Sequence, residues 1–112
     1  MESYQFLGVW VNALTIEDLN ELVRQSVQRR ERWLIANHNM NSLRLFHKDG
    51  KMRDFYARSA YIHVDGMPLI WLGRLLGYPL RRQHRVTYAD WIYPLMASSA
   101  QEGWRIFYLG SK

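Results

Sequence analysis

The segment Tyr61-Ile62-His63-Val64 ends abruptly at Asp65-Gly66, and Pro68 follows two residues later. A short run of aromatic and β-branched side chains closed by a turn dipeptide reads as a strand. Proline is tolerated in the first turn of a helix, where its missing N–H has no partner to lose. A helix carrying Leu69, Leu72, Leu75 and Leu76 therefore starts there, and Gly77 and Pro79 close it. A strand that turns directly into a helix is the repeating step of an α/β sheet.

The rest of the chain continues the alternation. Tyr4 to Val11 is rich in aromatic and β-branched residues and reads as a strand or hairpin arm ending at Asn12. Thr15-Ile16-Glu17-Asp18 has the capping-box pattern, and Ile16, Leu19, Leu22, Val23 and Val27 recur at helical spacing as far as Arg29-Arg30. Trp33-Leu34-Ile35-Ala36 reads as a buried parallel strand, so the first unit is β-α-β. Asn39 caps a short helix with Leu43 and Phe46, Asp49-Gly50 breaks it, and a second helical stretch runs through Phe55 and Tyr56. Thr87 or Tyr88 opens a helix with Trp91, Leu95 and Met96 inward that reaches Gly103, and Trp104 to Leu109 reads as a last strand. The expected fold class is α/β, an open, mostly parallel Rossmann-like sheet with covering helices. It is expected to be incomplete at the C-terminus, because an apolar strand followed only by Gly110-Ser111-Lys112 stops where a covering helix normally follows.

With 112 residues, this is one domain at most, and 48% hydrophobic residues suffice for a core and argue against disorder. The absence of cysteine excludes a disulfide framework, thiolate zinc sites and cysteine nucleophiles, and fits a reducing compartment. The start Met1-Glu2-Ser3-Tyr4 lacks the basic patch and apolar run of a secretion signal, which makes the cytosol the default expectation. The longest apolar run, Met67 to Leu80, carries Arg74 and falls short of the ~20 residues of a membrane span.

The formal net charge is +5, and all of the excess lies beyond residue 50. Arg74, Arg81, Arg82 and Arg85 fall close together with no acid among them. Such a cluster suits a phosphate, a nucleic acid or an anionic membrane surface, against the plainer account of a solvated basic loop. The Leu69-Ile70-Trp71-Leu72 helix with Arg74 suits a membrane surface, whereas packing on a sheet accounts for the same residues.

Ligands of open α/β sheets bind outside the carboxyl ends of the strands, which draws attention to Asn37, Asn39, Asp65 and Gly110. A carboxylate at a strand end, followed by a glycine that permits close approach, suits a general base, so Asp65 is the sharpest candidate. A turn or cap aspartate is the alternative. Asn39 offers an amide donor and acceptor but equally suits helix capping. Arg85 could clamp a diphosphate with its planar fork of donors or simply sit in a basic loop. His38, His47, His63 and His84 show no ligand spacing, and no protein-held metal is expected. Gly110-Ser111 has the composition of a phosphate-cradling turn.

Several blocks together resemble the WecG/TagA/CpsF glycosyltransferase family: Asn37-His38-Asn39, Tyr61 to Pro68, Trp71 to Gly77, His84 to Asp90 and Phe107 to Gly110. Their order and spacing match as well as their residues. The resemblance implies that residues 1–112 are the N-terminal part of a single glycosyltransferase domain, with much of the nucleotide pocket and a membrane-docking segment further on. It implies an inverting transferase that needs no metal or other cofactor and moves a sugar from a UDP-sugar to a sugar on undecaprenyl diphosphate. That places it in surface polysaccharide synthesis, in the cytoplasm and peripherally on the inner face of the cell membrane. By the same resemblance Asp65 is the catalytic base, while Asn37, Asn39, Gly66, Arg85 and Asp90 bind substrate. Asn37 stands where the family has threonine, and Tyr88 where its Arg-Val-x-Gly-x-Asp motif has glycine. The variants around Val64 to Pro68 and His84 to Tyr88 are similar to the xanthan-type branch, with UDP-glucose as donor. The implied partners are the donor, the lipid-linked acceptor and the membrane surface, with no nucleic acid and with a homo-oligomer left open. Two other readings stand beside this one: a small basic α/β module binding nucleic acid through its arginines, and an inactive truncated remnant.

Overall fold

A computed structural model describes residues 2–110. The N-terminal arm is a hairpin rather than one strand: β1 (Ser3–Phe6) and β2 (Val9–Asn12) pair antiparallel. Leu7 and Gly8 both take positive φ, 51° and 79°, and a two-residue reversal of that kind follows the natural twist of the paired strands.

Helix α1 (Ile16–Arg29) begins with the expected capping box. Thr15 Oγ1 accepts from the Asp18 N–H at 3.2 Å, and Asp18 Oδ2 accepts from the Thr15 N–H at 3.0 Å. Strand β3 (Ile35–His38) starts two residues later than Trp33, because its register is set by β4 (Tyr61–Val64). The two strands pair in parallel from Ile35↔Tyr61 to His38↔Val64. Between them lie α2 (Met40–Lys48) and α3 (Gly50–Ala57), split at Asp49, which caps α3 by accepting from the Lys51 N–H at 2.9 Å. After β4 come α4 (Met67–Leu75), one 3-10 turn at Arg82–His84, and α5 (Tyr88–Glu102), capped by Thr87.

Side chains alternate across the β3–β4 pair, and each face carries its own apolar cluster. Ala36, Ile62 and Val64 pack with Leu43, Tyr56, Leu69 and Ile70, and the hairpin's Val9 and Val11 join them. Ile35 and Tyr61 pack on the other face with Leu19, Leu22 and Trp91. Helices α1 and α5 lie together there, joined by Trp91 Nε1 donating to Asn20 Oδ1 at 2.8 Å and by the Arg24–Glu102 ion pair. Fully burying one such leucine or isoleucine stabilises by about 1.5–3 kcal/mol, so these two clusters hold the layers in place.

The chain folds as the expected mixed α/β domain, but the described residues do not display an open, mostly parallel Rossmann-like sheet. The described residues make two two-stranded sheets, only one of them parallel. The second edge of β4 is taken by other groups: the Asn12 side chain accepts from the Ile62 N–H, and the Val86 N–H donates to the Val64 carbonyl at 2.8 Å. Trp104 to Leu109 is not a strand either. It pairs with no strand among the described residues and lies exposed beyond the half-buried Trp104, Phe107 and Leu109 at 88% each. Met96 points outward at 40% exposure, because α5 turns Trp91, Leu95 and Ser99 inward and Met96 falls off that face. Leu75 and Leu76 are also exposed, since α4 packs through Leu69, Ile70 and Gly73 instead.

Candidate active site

Because β3 and β4 run parallel, their carboxyl ends open side by side, and the segments that follow carry the candidate residues. The Asp65 N–H donates to the His38 carbonyl at 2.9 Å, extending the ladder one residue past Val64 and fixing Asp65 at the strand end. Gly66 then takes φ 131° and ψ 137° at the N-cap of α4, a backbone conformation L side chains rarely adopt. A Cβ at Gly66 would lie 3.9 Å from Asn39 Cβ, an ordinary contact. The backbone angle therefore demands glycine, and Asn39 is its neighbour across the corner.

Asn39 is the N-cap of α2, and its Oδ1 accepts from the Ser42 N–H at 2.8 Å while Ser42 Oγ accepts from the Asn39 N–H at 2.7 Å. Capping thus uses the amide oxygen and leaves the amide NH2 without a partner among the described residues. Asn37 lies on β3 opposite His63, and its carbonyl accepts from the Tyr56 hydroxyl at 2.6 Å.

Arg85 reaches this corner through its backbone, forming a parallel bridge with Val64. Its Nη2 lies 3.5 Å from Asp90 Oδ2, while its buried Nε has no partner. Asp90 sits in the first turn of α5, and its N–H donates to Thr87 Oγ1 at 3.1 Å. Burial pushes the Asp65 carboxyl above its ordinary value; the Arg85 charge opposes that rise and the Asp90 charge adds to it. A partly exposed carboxylate with increased proton affinity, beside a guanidinium, can take a proton from a hydroxyl next to an anionic group.

The structure thus gathers Asp65, Gly66, Asn39, Arg85 and Asp90 at the ends of β3 and β4, with Asn37 one step back on the strand. Gly110 is not brought to a strand end, since it follows the exposed segment after Trp104, and Ser111 of the expected Gly110-Ser111 turn lies outside the described residues. Arg74, Arg81 and Arg82 line a separate groove. No three His, Asp or Glu side chains among the described residues converge as metal ligands would.

Several neighbours escape sequence reasoning. His38 is fully buried and stacks on Tyr56 at 3.8 Å, with Nδ1 2.9 Å from Ser42 Oγ. His63 is buried too, edge-on to Trp91 at 5.9 Å and to Tyr88 at 6.4 Å. Burial lowers both imidazoles to about 4, so they are neutral at neutral pH. Tyr88 stacks on Trp91 at 6.3 Å and is 59% exposed. Two aromatic residues three apart in a first helical turn are the one signal that could have found this platform.

No curated protein and no solved structure matches the chain. One family model does, over residues 4–112, taking in both strands, the Asp65-Gly66 corner and the Arg85 to Asp90 segment, and the chain accordingly belongs to the WecG/TagA/CpsF family of glycosyl transferases.

Proposed function

We propose that residues 1–112 form the N-terminal part of a single inverting glycosyltransferase domain, with Asp65 as its base. The family is one of glycosyltransferases in cell-surface polysaccharide synthesis. On this reading the donor is a UDP-sugar, UDP-glucose if the chain follows the xanthan-type branch, and the acceptor is a sugar on undecaprenyl diphosphate. The acceptor hydroxyl oxygen bonds to the anomeric carbon from the face opposite UDP. The bond between that carbon and the UDP oxygen breaks with its electron pair going to UDP, and the hydroxyl proton passes to the Asp65 carboxylate.

The other residues take roles that their free groups suit. The unpartnered Asn39 amide and the Asn37 amide are donors for sugar hydroxyls. Arg85 faces a diphosphate with a planar fork of donors, held from behind by Asp90. Gly66 lets a sugar approach the backbone. No helix among the described residues is long and apolar enough to cross a membrane. On this reading the protein works peripherally at the inner face of the cell membrane, where a lipid-linked acceptor lies. Self-association of the chain belongs to the same reading.

The observation that carries this proposal is the Asp65 carboxylate at the end of β4, raised in proton affinity by burial beside Arg85. UDP release by the full-length natural protein, with a lipid-diphosphate-sugar acceptor, tests it. Asp65→Asn is expected to cut turnover by about 100-fold or more while leaving donor binding intact. Unchanged turnover in that variant would remove Asp65 as the base.

A further inference from the structure

We infer that the outward face of α4, together with the loop that follows it, is a docking surface for an anionic lipid bilayer. Trp71, Leu75 and Leu76 are 61%, 82% and 51% exposed. Trp71 and Leu75 stand one helical turn apart and form a single stripe. The opposite face of the helix is fixed: Leu69 and Ile70 are fully buried, and Leu80 fills the space a Cβ at Gly73 would need. The stripe is therefore held outward by packing on its back.

Charge selects the occupant. Arg74 borders the stripe and, with Arg81 and Arg82, lines a groove of about 420 Å³ that also includes Tyr78 and Leu80. None of the three arginines has an ion-pair partner among the described residues, and no acidic residue occurs between Gly66 and Ala89. An indole among leucines, rimmed by unpaired guanidinium groups, matches a membrane interface, where the ring sits at headgroup depth and the cations meet anionic lipid. A nucleic acid would use the arginines but leave the leucine stripe in water. A protein partner would have to supply an acidic counterpart and a groove for a convex helix.

This deepens the proposed transfer reading, because it gives the site a fixed height above the lipid. Gly66 caps α4 and Asp65 precedes it, so a helix lying on the bilayer holds Asp65 just past the N-terminal end of a span about 13 Å long, the length of nine residues at 1.5 Å each.

Sedimentation of the full chain with vesicles of phosphatidylcholine, or of phosphatidylcholine and phosphatidylglycerol in equal parts, tests the inference without donor or acceptor. Failure here therefore leaves the transfer reading intact, and failure of UDP release leaves this one intact. The expected result is retention on the anionic vesicles only, weakened by salt, with a blue shift of tryptophan emission that Trp71→Phe removes. Arg81→Ala with Arg82→Ala should lower partitioning about 30-fold at low salt, and Leu75→Glu should lower it by a similar factor. These positions are exposed, so circular dichroism of the variants should match the parent. Equal retention on both vesicle types, or retention that Leu75→Glu and the arginine pair leave unchanged, overturns the proposal. So does binding of random-sequence DNA that needs the arginines without any anionic-vesicle binding, or a self-associated chain that Leu75→Glu makes monomeric while vesicle binding stays the same.

Discussion

Asn12 Oδ1 accepts the backbone N–H of Ile62 at 2.8 Å, a buried side chain standing where a neighbouring strand would pair with β4. The hairpin is docked by this bond and by Val9 and Val11 in the core around β4. Asn12→Leu keeps the branched four-atom side-chain skeleton but leaves the Ile62 N–H buried without a partner. The expected cost is about 1–3 kcal/mol of unfolding free energy, read by urea denaturation. A loss no larger than that of an exposed-site variant would show that this bond does not hold the hairpin.

Asp65 should show itself in the acid limb of the pH–rate profile. A base works deprotonated, and burial raises the Asp65 pKa, so the limb should lie above the ordinary carboxylate range. Arg85 opposes that rise, and Arg85→Ala should move the limb to higher pH as well as weaken substrate binding. Asp90 adds to the rise, and Asp90→Asn should move the limb to lower pH while releasing Arg85. Shifts of the same sign in both variants would contradict the arrangement of charges around Asp65.

The two buried histidines make stability depend on pH. His38 and His63 have pKa values of about 4 folded against 6.5 when unperturbed, so each binds its proton more weakly in the folded chain. Their contribution is intact above pH 6.5 and is lost as pH falls toward 4, on the order of 3 kcal/mol per ring at most. Denaturation measured between these limits should show a stability that declines with acid. His63→Phe should fit the space between Trp91 and Tyr88 and make that decline shallower. An unaltered slope would mean His63 is not buried neutral.

Much of this was legible in the chain because the signals are local. Thr15-Ile16-Glu17-Asp18 and Asn39 announce helix starts through bonds within three residues, and the Tyr61–Val64 strand with its Asp65-Gly66 corner follows from a short apolar run and a glycine. Those same residues carry most of the candidate site. What the sequence could not show depends on pairing between distant segments. Whether Trp104 to Leu109 forms a strand depends on an edge to pair with, and the edge of β4 was already occupied by Asn12 and Val86, 50 and 22 residues away from Ile62 and Val64. Arg85 approaches Asp65 through a backbone bridge to Val64, which no local pattern encodes. That Leu75 and Leu76 stay exposed is not legible either, because the leucine periodicity of α4 says nothing about which face meets the protein.

Gly73 gives the sharpest test of how α4 is held. An alanine inside a helix ordinarily gains about 1 kcal/mol over glycine. Here its Cβ would fall 2.3 Å from Leu80 Cδ1 and 3.4 Å from Cγ, and Leu80 is only 1% exposed, so the side chain has no room to yield. Overpacking of that kind costs about 1–3 kcal/mol, and Gly73→Ala should destabilise despite its better propensity. Leu80→Ala alone should cost about 2–5 kcal/mol by leaving a cavity. The double variant should cost less than the two losses together, because the new methyl partly fills that cavity. Thermal melts of the four proteins read the coupling directly. A stabilising Gly73→Ala would mean that α4 does not sit against Leu80, and the outward stripe of Trp71 and Leu75 would lose the packing that fixes it.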